Sequence, residues 1–216
     1  MTPLILALDT THEYGSLALA RGEEILEEKL LHEPGGFSRI LFGCIGELLA
    51  RHSLKPGAID CFAAASGPGS FTGVRVGLAC IKGLAEALGK PAIAVSNLKA
   101  LARFGTAPLR AVLLDARRSE IYGAVYDAAG NLVSPEVVAR FEDWLRTLPE
   151  GVAEFISTDF APPLLPHATL VAGPRALASA IARIAAERLA HGDSGDPAAI
   201  DANYVRRSDA ELFWRE

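Results

Sequence analysis

Residues spaced for chemistry are few in this chain of 216. They gather in a glycine-rich turn, Gly67-Pro-Gly-Ser-Phe-Thr-Gly73, and at two aspartates, Asp9 and Asp115, that end apolar runs. The turn stands where a helix begins, so the free N–H groups around Gly69 and Ser70 could hold an anion. A phosphate loop of the G-x-x-x-x-G-K-[ST] type needs a lysine, and here Gly73 is followed by Val74-Arg75. The dinucleotide fingerprint also fails, because the glycines run G-x-G-x-x-x-G and Pro68 removes a donor. Two readings stay open: an anion cradle, or a tight turn that lets backbone pack closely. Asp9, with Thr10 beside it, and Asp115 could flank a metal-nucleotide in a cleft between two domains, or each could cap a turn.

Other constellations are missing. The five histidines, His12, His32, His52, His167 and His191, form no H-x-x-x-H or H-E-x-x-H pair, which leaves a zinc site without ligands at helical spacing. Ser70 lies in G-P-G-S-F-T-G rather than in a G-x-S-x-G elbow. Neither peptidase nor esterase chemistry is supported. Cys44, Cys61 and Cys80 lie in apolar runs without C-x-x-C spacing, as expected of buried thiols in a reducing compartment.

The elements that would position these residues follow from periodicity. Leu4–Leu8 is a continuous apolar run suited to a buried central strand. Tyr14–Ala20 and Glu23–Leu31 make a hairpin around Gly22, and Ser38 is a candidate N-cap for a helix to His52. The strand Asp60–Ser66, the glycine turn, a helix to Gly89, a strand over Ala92–Val95 and a helix from Ser96 or Asn97 complete a β-β-β-α-β-α-β-α order. After Thr106–Pro108 the pattern restarts: Leu109–Leu114 runs into Asp115, with strands over Ile121–Tyr126 and Leu132–Ala139. A helix near Phe141–Leu148, strands near Phe155–Thr158 and Thr169–Ala172, a loop over Ala161–His167 and a helix from Gly173-Pro174 to about Ala190 follow. ILALDTT and AVLLDAR thus open two repeats, which predicts domains 1–106 and 107–216, the second ending in a polar docking tail.

Two helices carry more apolar surface than a sheet can cover. In the helix after the glycine turn, Arg75, Lys82 and Glu86 fall within about 40° on the wheel, and every other position from Gly73 to Gly89 is apolar or glycine. In the helix from Ser38, Ile40 and Cys44 share a face with Glu47 and Arg51, flanked by Leu41, Ile45 and Leu48. Either the two helices cover each other inside one core, or together they form a patch on the order of several hundred Å2 that requires a partner.

Composition narrows the classes. Half of the residues are hydrophobic and 22% are charged, values of an ordinary globular protein. The net charge of -5 argues against a free-standing nucleic-acid binder. The start, MTPLILALDTT, has no basic leader and no span long enough for a bilayer, so a cytosolic, membrane-free location is expected.

LALDTT, GPGSFTGVRVG, DARRSEIY and NYVRRSDAE together resemble the TsaB (YeaZ) family, subunits of the bacterial machinery that makes N6-threonylcarbamoyladenosine at position 37 of tRNA. The resemblance spans nearly the whole chain. It implies an α/β, actin-like (ASKHA, ribonuclease H-like) fold of two related βββαβα-type domains. It also implies a non-catalytic platform that binds and activates TsaD through the first two helices, with Ile40, Leu41, Cys44, Ile45, Leu48, Phe71, Val74, Arg75, Leu78, Ile81 and Lys82 at the interface. The same surface would support a homodimer when TsaD is absent. TsaE joins the complex, TsaC supplies threonylcarbamoyl-adenylate, and tRNA is reached only through the complex. No cofactor of its own is expected, ATP or ADP and a metal ion belonging to partner subunits. The alternative is an independent actin-like ATPase or kinase that uses Asp9 and Asp115. One departure is visible: Ala202-Asn203 precede Tyr204-Val205-Arg206, where the family usually has proline.

Overall fold

The computed structural model describes residues 2–158 and 168–206. The loop expected over Ala161–His167 and the tail residues Phe213 and Trp214 lie outside the described residues. In the first half, β1 (Leu4–Asp9), β2 (Tyr14–Arg21), β3 (Glu24–His32), α1 (Leu41–Arg51), β4 (Cys61–Ala65), α2 (Phe71–Leu88), β5 (Ala92–Val95) and α3 (Asn97–Ala102) follow one another. In the second come β6 (Leu109–Arg117), β7 (Glu120–Asp127), β8 (Leu132–Arg140), α4 (Phe141–Leu145), β9 (Glu154–Ser157), β10 (Thr169–Ala172) and α5 (Ala178–Ala190).

The repeat is topological. The first sheet has the order β3-β2-β1-β4-β5 and the second β10-β9-β6-β7-β8. In each, the opening strand pairs antiparallel with the hairpin strand after it and parallel with the fourth strand of its half. The duplicated α/β arrangement implied by the resemblance is therefore present in both halves.

β1 is buried along its whole length because both of its edges are paired and both of its faces are covered. Leu4, Leu6 and Leu8 point to one face, where they join Leu17, Leu19, Phe62 and residues of α1 and α2 in a continuous core. Burying leucines of this kind stabilises by about 1.5–3 kcal/mol each. The opposite face is lined by small side chains, Ala7, Ala18 and Ala63 among them, which sit side by side in register. The alanine-rich α5 packs on strands β1, β2, β4 and β5. Small residues on both surfaces let helix and sheet backbones approach closely.

This packing changes the domain boundary. One compact unit runs to Ser96 and resumes over Arg175–Asn203, while the other takes Asn97–Pro174 and the chain from Tyr204 onward. A single cut at 106 and 107 places α3 and α5 on the wrong sheets: α3 packs on β6, β7 and β9, and α5 on the first sheet. The buried Leu98 and Leu101 of α3 and Ile181 and Ile184 of α5 drive this exchange. Ser16 and Glu28 hold the start of α5. The Ser16 hydroxyl accepts the Leu177 and Ala178 N–H groups at 3.1 and 3.0 Å, and the Glu28 carboxylate accepts the Ser179 N–H at 2.7 Å. These donors would otherwise be orphaned at a helix start.

Ser38 is not the cap of α1. Phe37–Arg39 forms a separate single turn of 3-10 helix with Phe37 buried, and α1 begins at Leu41 without a side-chain cap.

The second unit has its own core of Ala111, Leu113, Ile121, Val125, Phe141, Trp144 and Phe155. Beneath it, Arg110 donates to the carbonyls of Ala107 at 2.7 Å and Ala102 at 3.0 Å, fastening the end of α3 to β6.

Candidate functional site

The glycine turn is joined to the end of β1. The Ser70 N–H donates to the Thr11 carbonyl at 2.7 Å, and the Thr10 hydroxyl donates to the Gly73 carbonyl at 2.7 Å. Ser70 caps α2, its hydroxyl accepting the Gly73 N–H at 3.2 Å. The Asp9 carboxylate accepts the Thr11 N–H at 2.8 Å and the Thr11 hydroxyl at 2.7 Å. A Cβ at Gly69 would stand 2.6 Å from the Thr11 carbonyl oxygen, and one at Gly73 only 2.0 Å from that of Thr10. Glycine is needed at both positions for this approach, and the close-packing reading of the turn describes what is there.

Four of the residues considered for an anion, Asp9, Thr10, Gly69 and Ser70, are thus brought together, but against one another. Asp9 and Thr10 are buried. Asp115 belongs to the second unit, where it is exposed and accepts the Arg117 N–H at 2.7 Å, the turn-capping role. The segment before Tyr204 also docks here: the Asn203 N–H donates to the Ser66 carbonyl at 2.8 Å, and Ile200 and Ala202 pack on the core.

The two helices beside the turn present a face that differs from the one expected. Leu41, Ile45 and Leu48 of α1 and Val74, Leu78 and Ile81 of α2 are buried in the chain's own core, so they are not available at its surface. Ile40 and Cys44 are half-buried at the edge of that core. Their neighbours face β3: Glu47 pairs with Lys29 at 3.1 Å, and Arg51 and His52 contact Glu27 at 2.5 and 2.9 Å. The Arg51 guanidinium, outweighing partial burial and helped by His52, holds the Glu27 carboxyl below its usual range. Of the remaining expected positions, Lys82 is half-buried, whereas Phe71 and Arg75 are exposed. The Arg75 guanidinium stands 3.8 Å from the centre of the Phe71 ring.

Besides the paired Glu47 and Arg51, α1 exposes Phe42, 63% accessible, together with Gly43, Gly46 and Ala50. Along α2 the outward positions are Thr72, Arg75, Ala79, Gly83 and Ala87, with Glu86 at the edge. A Cβ added at Gly43, Gly46 or Gly83 would meet nothing within 4 Å. Glycine inside a helix costs about 1 kcal/mol relative to alanine, so three such positions weaken the free chain without serving its own packing. On α1 an aromatic side chain stands out beside accessible backbone, and on α2 accessible backbone lies beside a guanidinium.

Phe42 and Gly46 are not among the positions expected from the sequence, whereas Gly83 is one of the small residues of its helix that the sequence offers for close approach. The wheel does not reveal Phe42, because it lies only about 20° from the buried Leu49 on α1.

Among the described residues no group of three or more His, Cys, Asp or Glu is placed to hold a metal ion. No described helix is long and apolar enough to cross a membrane. Burial pushes the Cys61 and Cys80 thiols up to about 12.

The family model described as "TsaD: tRNA N6-adenosine threonylcarbamoyltransferase" matches residues 29–189, more than half of the chain. The "tRNA threonylcarbamoyladenosine biosynthesis protein TsaB" of Bacillus subtilis (strain 168) is 33% identical over 151 residues, covering 68% of this chain and 66% of that protein. The solved structure "YeaZ from Pseudomonas aeruginosa" matches with a TM-score of 0.78 at 28% identity, covering 94% of this chain and 99% of the other. The ethanolamine utilization protein EutJ from Carboxydothermus hydrogenoformans, at 11% identity and a TM-score of 0.52, shares the fold. The matches span between about half and two thirds of the length of the curated relatives.

Proposed function

This chain belongs to the TsaB (YeaZ) family, and on that premise we propose that it is a non-catalytic subunit of the assembly that places a threonylcarbamoyl group on N6 of adenosine 37 in tRNA. Its work is to bind TsaD and hold it in an active arrangement. The observation that carries this reading is the outward face of α1 and α2, where Phe42 stands free beside helical glycines that the chain's own core does not use.

An aromatic side chain surrounded by accessible backbone is the kind of anchor on which interfaces concentrate their binding energy. Small residues at Gly43, Gly46, Ala79 and Gly83 let a partner helix come within close van der Waals reach of both helices. Arg75, held over Phe71, supplies a positive rim. TsaE and TsaC act beside TsaD in this scheme, a second copy of this chain occupies the face when TsaD is missing, and ATP or ADP and the metal ion belong to the partners.

The packed joint between Asp9-Thr10-Thr11 and the glycine turn supports a structural role for those residues. They set the angle at which α2 leaves the sheet, and so where its outward face stands.

Reconstitution with TsaD, TsaE, TsaC, ATP, threonine, bicarbonate and unmodified tRNA tests the proposal, with modified nucleoside read by mass spectrometry. Product should form with this chain and be lost on its omission. Equal product without it would refute the role.

A further inference from the structure

Helix α1 carries only two charged side chains, Glu47 and Arg51, and both are fastened to β3. The Glu27 carboxylate is the centre of that fastening. It accepts the Arg51 guanidinium from Nε at 3.0 Å and from a terminal nitrogen at 2.5 Å, and the His52 ring from Nε2 at 2.9 Å. An ionised carboxylate only accepts, so this nitrogen of His52 carries the proton. Lys29 adds a second pair, with Glu47 at 3.1 Å. Two consecutive residues at the end of α1 thus converge on one side chain of the sheet.

The first half of the helix is built differently. Residues 41–46 include no charged side chain, begin without a side-chain cap and contain Gly43 and Gly46, both exposed. Phe42 stands in this half, about 13–14 Å before Arg51 along the axis and about 180° from it on the wheel.

The buried Leu41, Ile45, Leu48 and Leu49 decide which side of α1 faces the core. Apolar burial is non-directional, however, and specifies a small roll about the helix axis only weakly. A roll of about 20° would carry a side chain at a radius of roughly 5–6 Å by about 2 Å. Contacts made by an aromatic ring are lost over less than that distance. A carboxylate that grips the opposite flank through a guanidinium and a ring nitrogen removes this freedom, because such bonds fix both distance and direction.

We infer that Glu27 is a positioning residue for the partner contact: through Arg51 and His52 it sets the roll of α1, and so the place at which Phe42 meets TsaD. The inference rests on the proposed function, which puts Phe42 at the interface. Glu27 itself stands on β3, against the flank of α1 that faces away from Phe42, and acts through the helix. With side chains 28% and 44% accessible, the Glu27–Arg51 pair adds little to global stability. It shifts binding by no more than its preference for one roll over another, which limits the loss on its removal to about fivefold.

The test uses Glu27→Gln, which removes the charge and keeps the shape. In the free chain, amide NMR shifts should change along α1 as far as Phe42 and Gly43, with the thermal midpoint lowered by no more than about 4 °C. Changes confined to the neighbourhood of Glu27, Arg51 and His52 would show that the roll is set elsewhere and overturn the inference. Calorimetric titration with TsaD should show binding weakened about three- to fivefold. In a Phe42→Ala background the same substitution should cause no further loss, since Glu27 acts through that side chain. An undiminished loss there would make Glu27 a direct contact, and wild-type affinity of Glu27→Gln would show that the roll does not govern docking; either result refutes the positioning role. A wild-type chain that does not bind TsaD refutes the proposed function and this inference with it, a result distinct from the other two.

Discussion

Replacing Gly73 by alanine tests whether the glycine turn is a packed joint. In an exposed helix this substitution stabilises by about 1 kcal/mol, so intrinsic propensity and the structure predict opposite signs. The new Cβ would stand 2.0 Å from the Thr10 carbonyl oxygen, 3.0 Å from its carbon and 3.2 Å from the Thr11 Cα, all backbone atoms that cannot rotate away. Helix α2 must therefore move outward. Doing so breaks or stretches the buried bonds from Thr10 to the Gly73 carbonyl and from Ser70 to the Thr11 carbonyl. Two net hydrogen bonds at about 1 kcal/mol each and overpacking of about 1–3 kcal/mol outweigh the propensity gain, leaving roughly 2–4 kcal/mol of destabilisation. For a chain of this length the thermal midpoint should fall by roughly 5–15 °C. Gly83→Ala is the matched control, because its Cβ meets nothing within 4 Å. It should raise the midpoint by about 2–4 °C. Differential scanning calorimetry of the two variants decides the matter, and a Gly73→Ala chain as stable as wild type would refute the reasoning.

Two further outcomes are expected of the free chain. Ser16→Ala removes the acceptor of two N–H groups at the start of α5 and should cost about 2 kcal/mol, measured by urea unfolding, with Ser16→Thr costing less. Cys61 and Cys80 should resist a thiol reagent until the chain unfolds, whereas the half-buried Cys44 should react in the native state. Because burial raises the two thiols from about 9 to about 12, the unfolded chain loses those protons first as pH rises. Stability from this source is intact below pH 9 and declines between about pH 9 and 12, by up to about 1.4 kcal/mol per pH unit for each thiol. Alkaline unfolding of Cys61→Ala and Cys80→Ala variants should show a correspondingly weaker dependence.

The opening strands were legible because a central strand covered on both faces must be largely apolar, and Leu4–Leu8 is apolar throughout while Ala111–Leu114 is so after Arg110. Chain order hid the exchange of α3 and α5. The small face of β1, β2 and β4 shows that a helix must approach closely there, but alternation within a strand cannot say which helix arrives. The outward side of α1 and α2 was obscured for a different reason. Ile40 and Cys44 look exposed on a wheel because Glu47 and Arg51 share their side, yet those charges answer Lys29 and Glu27 on β3. An ion pair across elements lets a charged stripe face protein, and the wheel contains no information about the partner strand. The sequence leaves the glycine turn open between anion binding and close packing, and the position of Thr10 and Thr11 against Gly69 and Gly73 accounts for its glycines.

The outward side of α1 is the proposed TsaD contact, and Phe42→Glu probes it most directly. Phe42 is 63% accessible, so the substitution leaves the core of the free chain untouched and its thermal midpoint within about 1–2 °C of wild type. Titration calorimetry with TsaD should then show affinity reduced at least about 30-fold, the loss of a 2 kcal/mol anchor. A folded Phe42→Glu chain that binds TsaD as tightly as wild type would contradict the assignment of this face.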